Sequence, residues 1–218
     1  MITNYDKWLV IFLLFNLIFI SGCVEKKQDL VSADKKECCK EESKVLLKTS
    51  FIPSNESIYQ LKDSWTDQNS QEINLNQLQG KVQVVAMIFT HCTYACPRIM
   101  MDSKMLELKI PEANKKNVDF LLISFDTERD IPEVLKQYAK DKKLNEHWRL
   151  LHGNENQVRE ISMVLGVKFE KKSDNSFAHS NLITILNQKG EIVHQQEGLG
   201  AKSDETISKI NELSNPAN

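Results

Sequence analysis

Apolar and polar positions along the chain change period every ten to fifteen residues, and each pattern predicts an element. Residues 8–20, WLVIFLLFNLIFI, form an uncharged run of 13 interrupted only by Asn16. Residues 82–89 (VQVVAMIF) and 118–125 (VDFLLISF) are near-continuous apolar runs, the pattern of strands buried on both faces. Residues 148–151 read as a shorter strand. Pro97 suits the first turn of a helix running to about residue 110. Asp130 followed by Glu133 reads as the capping box of a second helix. Asn154 caps a third, which stops at Gly166 and carries Val158, Ile161 and Leu165 on one face. Residues 167–180 read as irregular. Residues 182–187 and 191–195 then form a hairpin around Gln188, Lys189 and Gly190, and Ser203 opens a last helix with Ile207, Ile210 and Leu213 inward.

The order is βα, βα, βα, then ββα. Alternating units call for a parallel sheet, and the tight hairpin adds an antiparallel strand. The predicted class is α/β, a thioredoxin-like fold with an extra βα unit. Residues 59–61 and 72–74 predict an N-terminal β-hairpin. Open α/β sheets carry their functional groups at the carboxyl ends of the strands. Cys92 and Cys96 follow the strand at 82–89, and Asp126 follows the strand at 118–125. An antiparallel strand at 182–187 would start at that same edge, beside His179 in FAHSN.

The first apolar run is too short to span a bilayer, which takes about 20 residues, and has the proportions of a signal-peptide core with Lys7 in front. It ends in Ile20, Ser21, Gly22 and Cys23, and small residues before a cysteine resemble the lipobox of bacterial lipoproteins. Residues 1–22 are thus predicted to be a lipoprotein signal peptide, with Cys23 lipidated; the alternative is an uncleaved membrane anchor. Either places the rest outside the cytoplasm, at the bacterial cell membrane or in the periplasm. Residues 24–48 then hold thirteen Lys, Glu or Asp among twenty-five positions without apolar periodicity. Residues 23–57 accordingly read as a charged flexible tether, reaching about 30 Å as a random coil. Cys38 and Cys39 lie in it, as a thiol relay or auxiliary metal site on one reading and as two exposed thiols on the other. The folded domain is expected over 58–214, with a tail at 215–218.

Composition removes other classes. Apolar residues make up 41% and charged residues 27% of 218, and the net charge of −2 leaves no broad electrostatic footprint for nucleic acid. Glycine numbers seven, and no GxGxxG or GxxxxGK[ST] run appears.

The chemistry therefore rests on FTHCTYACP at 89–97 and on His179. A thiolate at a helix N-terminus is favoured by the helix dipole, and a spacing of four is about one helical turn. Two soft sulfurs with one nitrogen suit copper, as Cu(I) or Cu(II). Structural zinc needs a fourth ligand, which the sequence does not supply; Cys2His catalytic zinc remains chemically possible. A dithiol redox enzyme needs Cys92 and Cys96 but not His179. Thioredoxin-like redox enzymes carry a cis-proline before the strand placed here at 182–187, and no proline stands there. Met100, Met101 and Met105 at helical spacing read as core rather than as thioether ligands.

Phe89, Thr90, His91, Cys92, Cys96 and Pro97, then Ser124, Phe125, Asp126 and Asp130, and finally His179 and Ser180, resemble the Sco/SenC family of copper chaperones over residues 58–213. The resemblance implies a thioredoxin-like fold that binds copper through Cys92, Cys96 and His179. It also implies a redox-active pair able to close a Cys92–Cys96 disulfide. The expected partner is cytochrome c oxidase subunit II, whose CuA centre would be loaded with metal or have its thiols reduced, or another copper enzyme. Such a protein is not an enzyme in the turnover sense; the competing expectation is a thiol–disulfide oxidoreductase. Asp126 is expected to orient the site without ligating, His91 to pack beside it, and Asp130 to cap its helix. The chain departs from the family wording at Thr93, Tyr94 and Ala95 between the cysteines, at Thr127, and at Ala178, none of them a ligand position.

Overall fold

The computed structural model describes residues 53–215. The expected signal peptide, the expected lipidation site Cys23, Cys38, Cys39 and all but the last residues of the expected tether lie outside them. Nine strands and five helices are described: β1 (Ser64–Asp67), β2 (Glu72–Asn74), β3 (Val82–Ile88), α1 (Ala95–Lys109), α2 (Glu112–Lys115), β4 (Val118–Ser124), α3 (Pro132–Asp141), β5 (Trp148–His152), α4 (Glu155–Leu165), β6 (Phe169–Lys171), β7 (Phe177–His179), β8 (Leu182–Leu186), β9 (Ile192–Glu197) and α5 (Asp204–Ser214). Seven strands form one sheet in the order β2-β1-β5-β4-β3-β8-β9.

The two apolar runs occupy the middle of that sheet. Every residue of β3 is buried, as are all of β4 except Asp119. Such side chains are worth about 1.5–3 kcal/mol each on burial, which is why these strands take the central positions. β3, β4 and β5 are parallel, while β8 runs antiparallel to β3 and pairs with β9. The β3-α1-β4 unit followed by β8-β9-α5 is the thioredoxin-like core, and β5-α4 is the expected extra unit. α4 forms as its sequence dictates: Asn154 and Gln157 close a reciprocal capping box, and Gly166 ends the helix at φ 70°.

Three expectations are corrected. The N-terminal hairpin pairs β2 with β1, not with residues 59–61. Those begin instead in a 3-10 turn, Ile58–Gln60, because the Ser57 hydroxyl accepts the Tyr59 amide and the Tyr59 hydroxyl donates to the Leu78 carbonyl. Ser57 is itself buried and donates to the Lys189 carbonyl, so packing already begins within the last residues of the expected tether. Residues 167–180 are not irregular, since β6 and β7 pair as a separate two-stranded ribbon. Asp130 does not cap α3. The cap position is Ile131 with Pro132 in the first turn, and the Asp130 side chain turns inward. Proline fixes the φ a first helical residue needs and lacks the amide a cap would have served, so the helix starts without that carboxylate.

Candidate metal centre

β3 delivers the chain to the site at Ile88, and the following turn is held by backbone amides. Cys92 N–H donates to the Phe89 carbonyl at 3.3 Å, and Phe89 N–H donates to Cys96 Sγ at 3.4 Å. α1 begins at Ala95, two residues before Pro97, so Cys96 sits in its first turn. The Cys96 amide, among those a helix start leaves without an intrahelical partner, donates to Cys92 Sγ at 3.3 Å. Both cysteines are free thiols. Cys92 is half-buried, whereas Cys96 is 1% exposed.

The environments drive the two thiols apart. Burial pushes the Cys92 thiol up, but the amides of Cys96, Tyr94 and Ala95 outweigh it, and its pKa is lowered overall. Burial pushes the Cys96 thiol strongly up, and the nearby Cys92 and Asp130 add to the rise despite the Phe89 amide.

His179 closes the cluster from across the fold. It ends β7 opposite Phe169, on the ribbon rather than in the hairpin strand itself. Its Nδ1 lies 3.0 Å from the Ser180 carbonyl. A carbonyl only accepts, so Nδ1 carries a proton, and Nε2 is the nitrogen that can offer a lone pair to a metal. That Nε2 stands 3.7 Å from Cys96 Sγ. The ring is walled by Phe125, with centroids 5.1 Å apart, and stands edge-on to Phe89 at 6.2 Å. The donor atoms of Cys92, Cys96 and His179 all lie within 4.8 Å of one another, and among the described residues no fourth His, Cys, Asp or Glu joins them. A closed tetrahedral zinc site would need that fourth donor. Two sulfurs and one imidazole nitrogen match a soft cation content with low coordination.

The flanking residues divide differently from expectation. Asp126 is buried, but its carboxylate accepts from Arg129 N at 3.2 Å and Nε at 2.5 Å. Its carboxylate is thus turned to Arg129 and not to the three donors. Arg129 in turn donates to the Asn175 carbonyl at 2.6 Å, in the turn of the ribbon that carries His179. Asp130 makes the closer link to the thiols: it accepts from Thr90 N at 2.9 Å, Thr90 Oγ1 at 2.5 Å and Ser124 Oγ at 2.6 Å. Sequence reasoning missed this because D-x-x-E before a helix reads as a cap. His91 is half-exposed, with Nδ1 3.1 Å from Thr90 Oγ1 and 3.7 Å from Asp130. It also forms a second group of donors with Asp126 and Asp130, but those carboxylates are already engaged by Arg129, Thr90 and Ser124.

Met100 is buried as expected, but Met101 and Met105 are 56% and 46% exposed, as is most of Tyr94 between the cysteines. α1 turns one face outward beside the thiols, so the methionine run spans both faces of the helix. A cavity of about 490 Å³ lies alongside rather than over the thiols, lined in part by Phe125, Phe169, Phe177, Val158 and Lys168.

The SCO1/SenC family profile matches residues 56–215. The chain is 25% identical over 158 residues to the SCO1 protein homolog of Bacillus subtilis, covering 69% of this chain and 80% of that one. It is 34% identical over 133 residues to a SCO2-like protein of Rickettsia felis, covering 57% of this chain and 62% of that relative. Among solved structures, ScoI of Arabidopsis thaliana with copper bound aligns at a TM-score of 0.61 and 21% identity, over 68% of this chain and 93% of that one. A SCO1/SenC family lipoprotein of Bacillus anthracis aligns at 0.64 and 22%, over 70% and 93%. BsSco, described with a disulfide switch and as a member of the Sco family of cytochrome c oxidase assembly proteins, aligns at 0.61 and 22%, over 71% and 92%. At these identities the structural likeness speaks for the fold, and the family match covers most of the chain. The chain belongs to the SCO1/SenC family.

Proposed function

We propose that this chain carries copper on Cys92 Sγ, Cys96 Sγ and His179 Nε2, and that it serves the assembly of the CuA site in cytochrome c oxidase subunit II. The observation that carries this reading is the convergence of two thiols and one imidazole nitrogen, from two separate parts of the fold, within 4.8 Å. Copper is cargo here. Thiolates favour Cu(I), the imidazole extends the set to Cu(II), and three protein donors leave room for an incoming ligand from the recipient. Cys96 is buried, while Cys92 and His179 are half-buried and within reach of a recipient. The copper-bound ScoI and the cytochrome c oxidase assembly role of the family to which BsSco belongs support the assignment.

The same reading places the domain outside the cytoplasm on a lipid carried by Cys23. The SCO1/SenC lipoprotein of Bacillus anthracis supports it. An extracytoplasmic tether would keep the copper site near a membrane-bound recipient.

A second reading is favoured by the asymmetry of the thiols. A half-buried Cys92 with a lowered pKa beside a buried Cys96 with a raised one is the arrangement of an attacking and a resolving thiol. On that reading the protein reduces the copper-ligating cysteines of its partner. The deciding experiment mixes copper-loaded protein with the metal-free CuA domain of subunit II, its cysteines either reduced or oxidised beforehand. Delivery gives the absorption of the dinuclear centre with the reduced acceptor. Appearance of a Cys92–Cys96 disulfide with the oxidised acceptor, and no copper transfer to the reduced one, would put the oxidoreductase first.

A further inference from the structure

Asp130 is 0% exposed, and an ionised carboxylate in such a place costs several kcal/mol unless donors surround it. Three do, and two of them belong to Thr90: its amide and its hydroxyl. Thr90 is two residues before Cys92 and lies in the turn that leaves β3. The peptide unit between Phe89 and Thr90 is held at both ends, because its N–H donates to Asp130 Oδ2 and its C=O accepts the Cys92 amide. The next amide back, that of Phe89, points at Cys96 Sγ. One buried carboxylate therefore fixes the peptide that holds Cys92, and the adjoining amide reaches Cys96. Asp130 is itself held from β4 and β5, by Ser124 Oγ and by His152 Nδ1 on its carbonyl at 3.1 Å. Neither capping nor ligation accounts for it.

We infer that Asp130, acting through Thr90, is the positioning residue that sets Cys92 against Cys96. In its absence the turn would still form, but the two sulfurs would spend less time within reach of one point. Intramolecular chemistry scales with that effective concentration. The consequence is measurable without metal, in the closing of the Cys92–Cys96 disulfide, as well as in copper binding, where it rests on the function proposed above.

The test uses Thr90→Val, which keeps the shape of the side chain and the charge of Asp130 but removes the hydroxyl bond. Thr90→Ser keeps that bond. Thr206→Val removes a buried bond to Gln196, between α5 and β9 and outside the turn. Each protein is equilibrated with glutathione: Cys92 and Cys96 together give two electrons and two protons to one glutathione disulfide, releasing two glutathiones. Thr90→Val is expected to lower the disulfide-forming equilibrium constant about fivefold, the worth of roughly one hydrogen bond made only while the turn is seated. Cu(I) affinity, read by chelator competition, falls by a similar factor. Thr90→Ser retains both values within about twofold. Thr206→Val lowers the unfolding midpoint and leaves both values unchanged. An unaltered disulfide equilibrium in Thr90→Val would overturn the inference, as would a fall in Thr206→Val that tracks its loss of stability. If wild type binds no copper but Thr90→Val shifts the disulfide equilibrium as expected, the copper reading fails and the positioning role stands.

Discussion

Replacing His179 with alanine separates the two functional readings, because the structure gives this residue work that disulfide chemistry does not need. The substitution removes the Nε2 donor 3.7 Å from Cys96 Sγ, the Nδ1 bond to the Ser180 carbonyl, and the ring contacts with Phe125 and Phe89. Ring contacts of this kind are worth about 0.5–1.5 kcal/mol. The hydrogen bond adds about 1 kcal/mol. Unfolding of the metal-free protein in denaturant should therefore show a loss of about 2 kcal/mol. Copper should respond more steeply. Cu(II) loses its one nitrogen donor, and its affinity should fall at least about a hundredfold, or about 2.8 kcal/mol at 1.4 kcal/mol per decade. Cu(I) can rest on two thiolates, so its affinity should fall only about tenfold. The disulfide equilibrium with glutathione should stay close to wild type, since both sulfurs and the turn that holds them remain. Chelator competition in each oxidation state, with the glutathione equilibrium on the same samples, reads all three. Unchanged copper affinity with an altered disulfide equilibrium would refute the reasoning and make His179 a redox-tuning residue.

Stability of the reduced protein should fall as pH rises above about 8.5, the ordinary thiol value. Cys96 has a folded pKa raised above its unfolded one, chiefly by burial, so its contribution is complete below the unfolded value and is lost toward the folded one; flat melting temperatures from pH 8 to 10 would contradict this. Gly190→Ala should lower stability by about 1–3 kcal/mol, because the residue sits at φ 77° and a Cβ there would lie 2.6 Å from the Tyr59 ring; an unchanged denaturation midpoint would argue against that close approach. Cys23→Ser should abolish incorporation of labelled fatty acid and leave the signal segment uncleaved, as read by mass spectrometry; wild-type protein recovered soluble and unmodified from cells would contradict the anchor.

The parts of the fold legible in the sequence were those where burial is continuous or capping is strictly local. β3 and β4 announce themselves because a strand covered on both faces has no polar positions to alternate with. α4 does so because Asn154, Gln157 and Gly166 act within their own turns. The β6–β7 ribbon was illegible: its strands are three residues each, and Glu170, Lys171 and Ala178 face solvent, so no period emerges. The convergence of Cys92, Cys96 and His179 on one edge was nevertheless anticipated, since it follows from which ends of which strands meet. The role of Asp130 was hidden for the opposite reason. Its partner Thr90 lies forty residues away, while a plausible partner, Glu133, lies three away. Outward-facing Met101 and Met105 were misread because helical spacing tells which residues share a face, not which face is covered.

The central claim is that Cys92, Cys96 and His179 form one copper site. It is tested most directly by titrating the reduced protein with Cu(I) against a competing chelator, in wild type and in Cys92→Ser, Cys96→Ser and His179→Ala. One tightly held Cu(I) per chain is expected. Either serine variant should lose at least about a thousandfold in affinity, because a hydroxyl is a poor ligand for a soft cation, and His179→Ala about tenfold. Wild-type affinity retained in both serine variants, or no competition with the chelator by wild type, would contradict it.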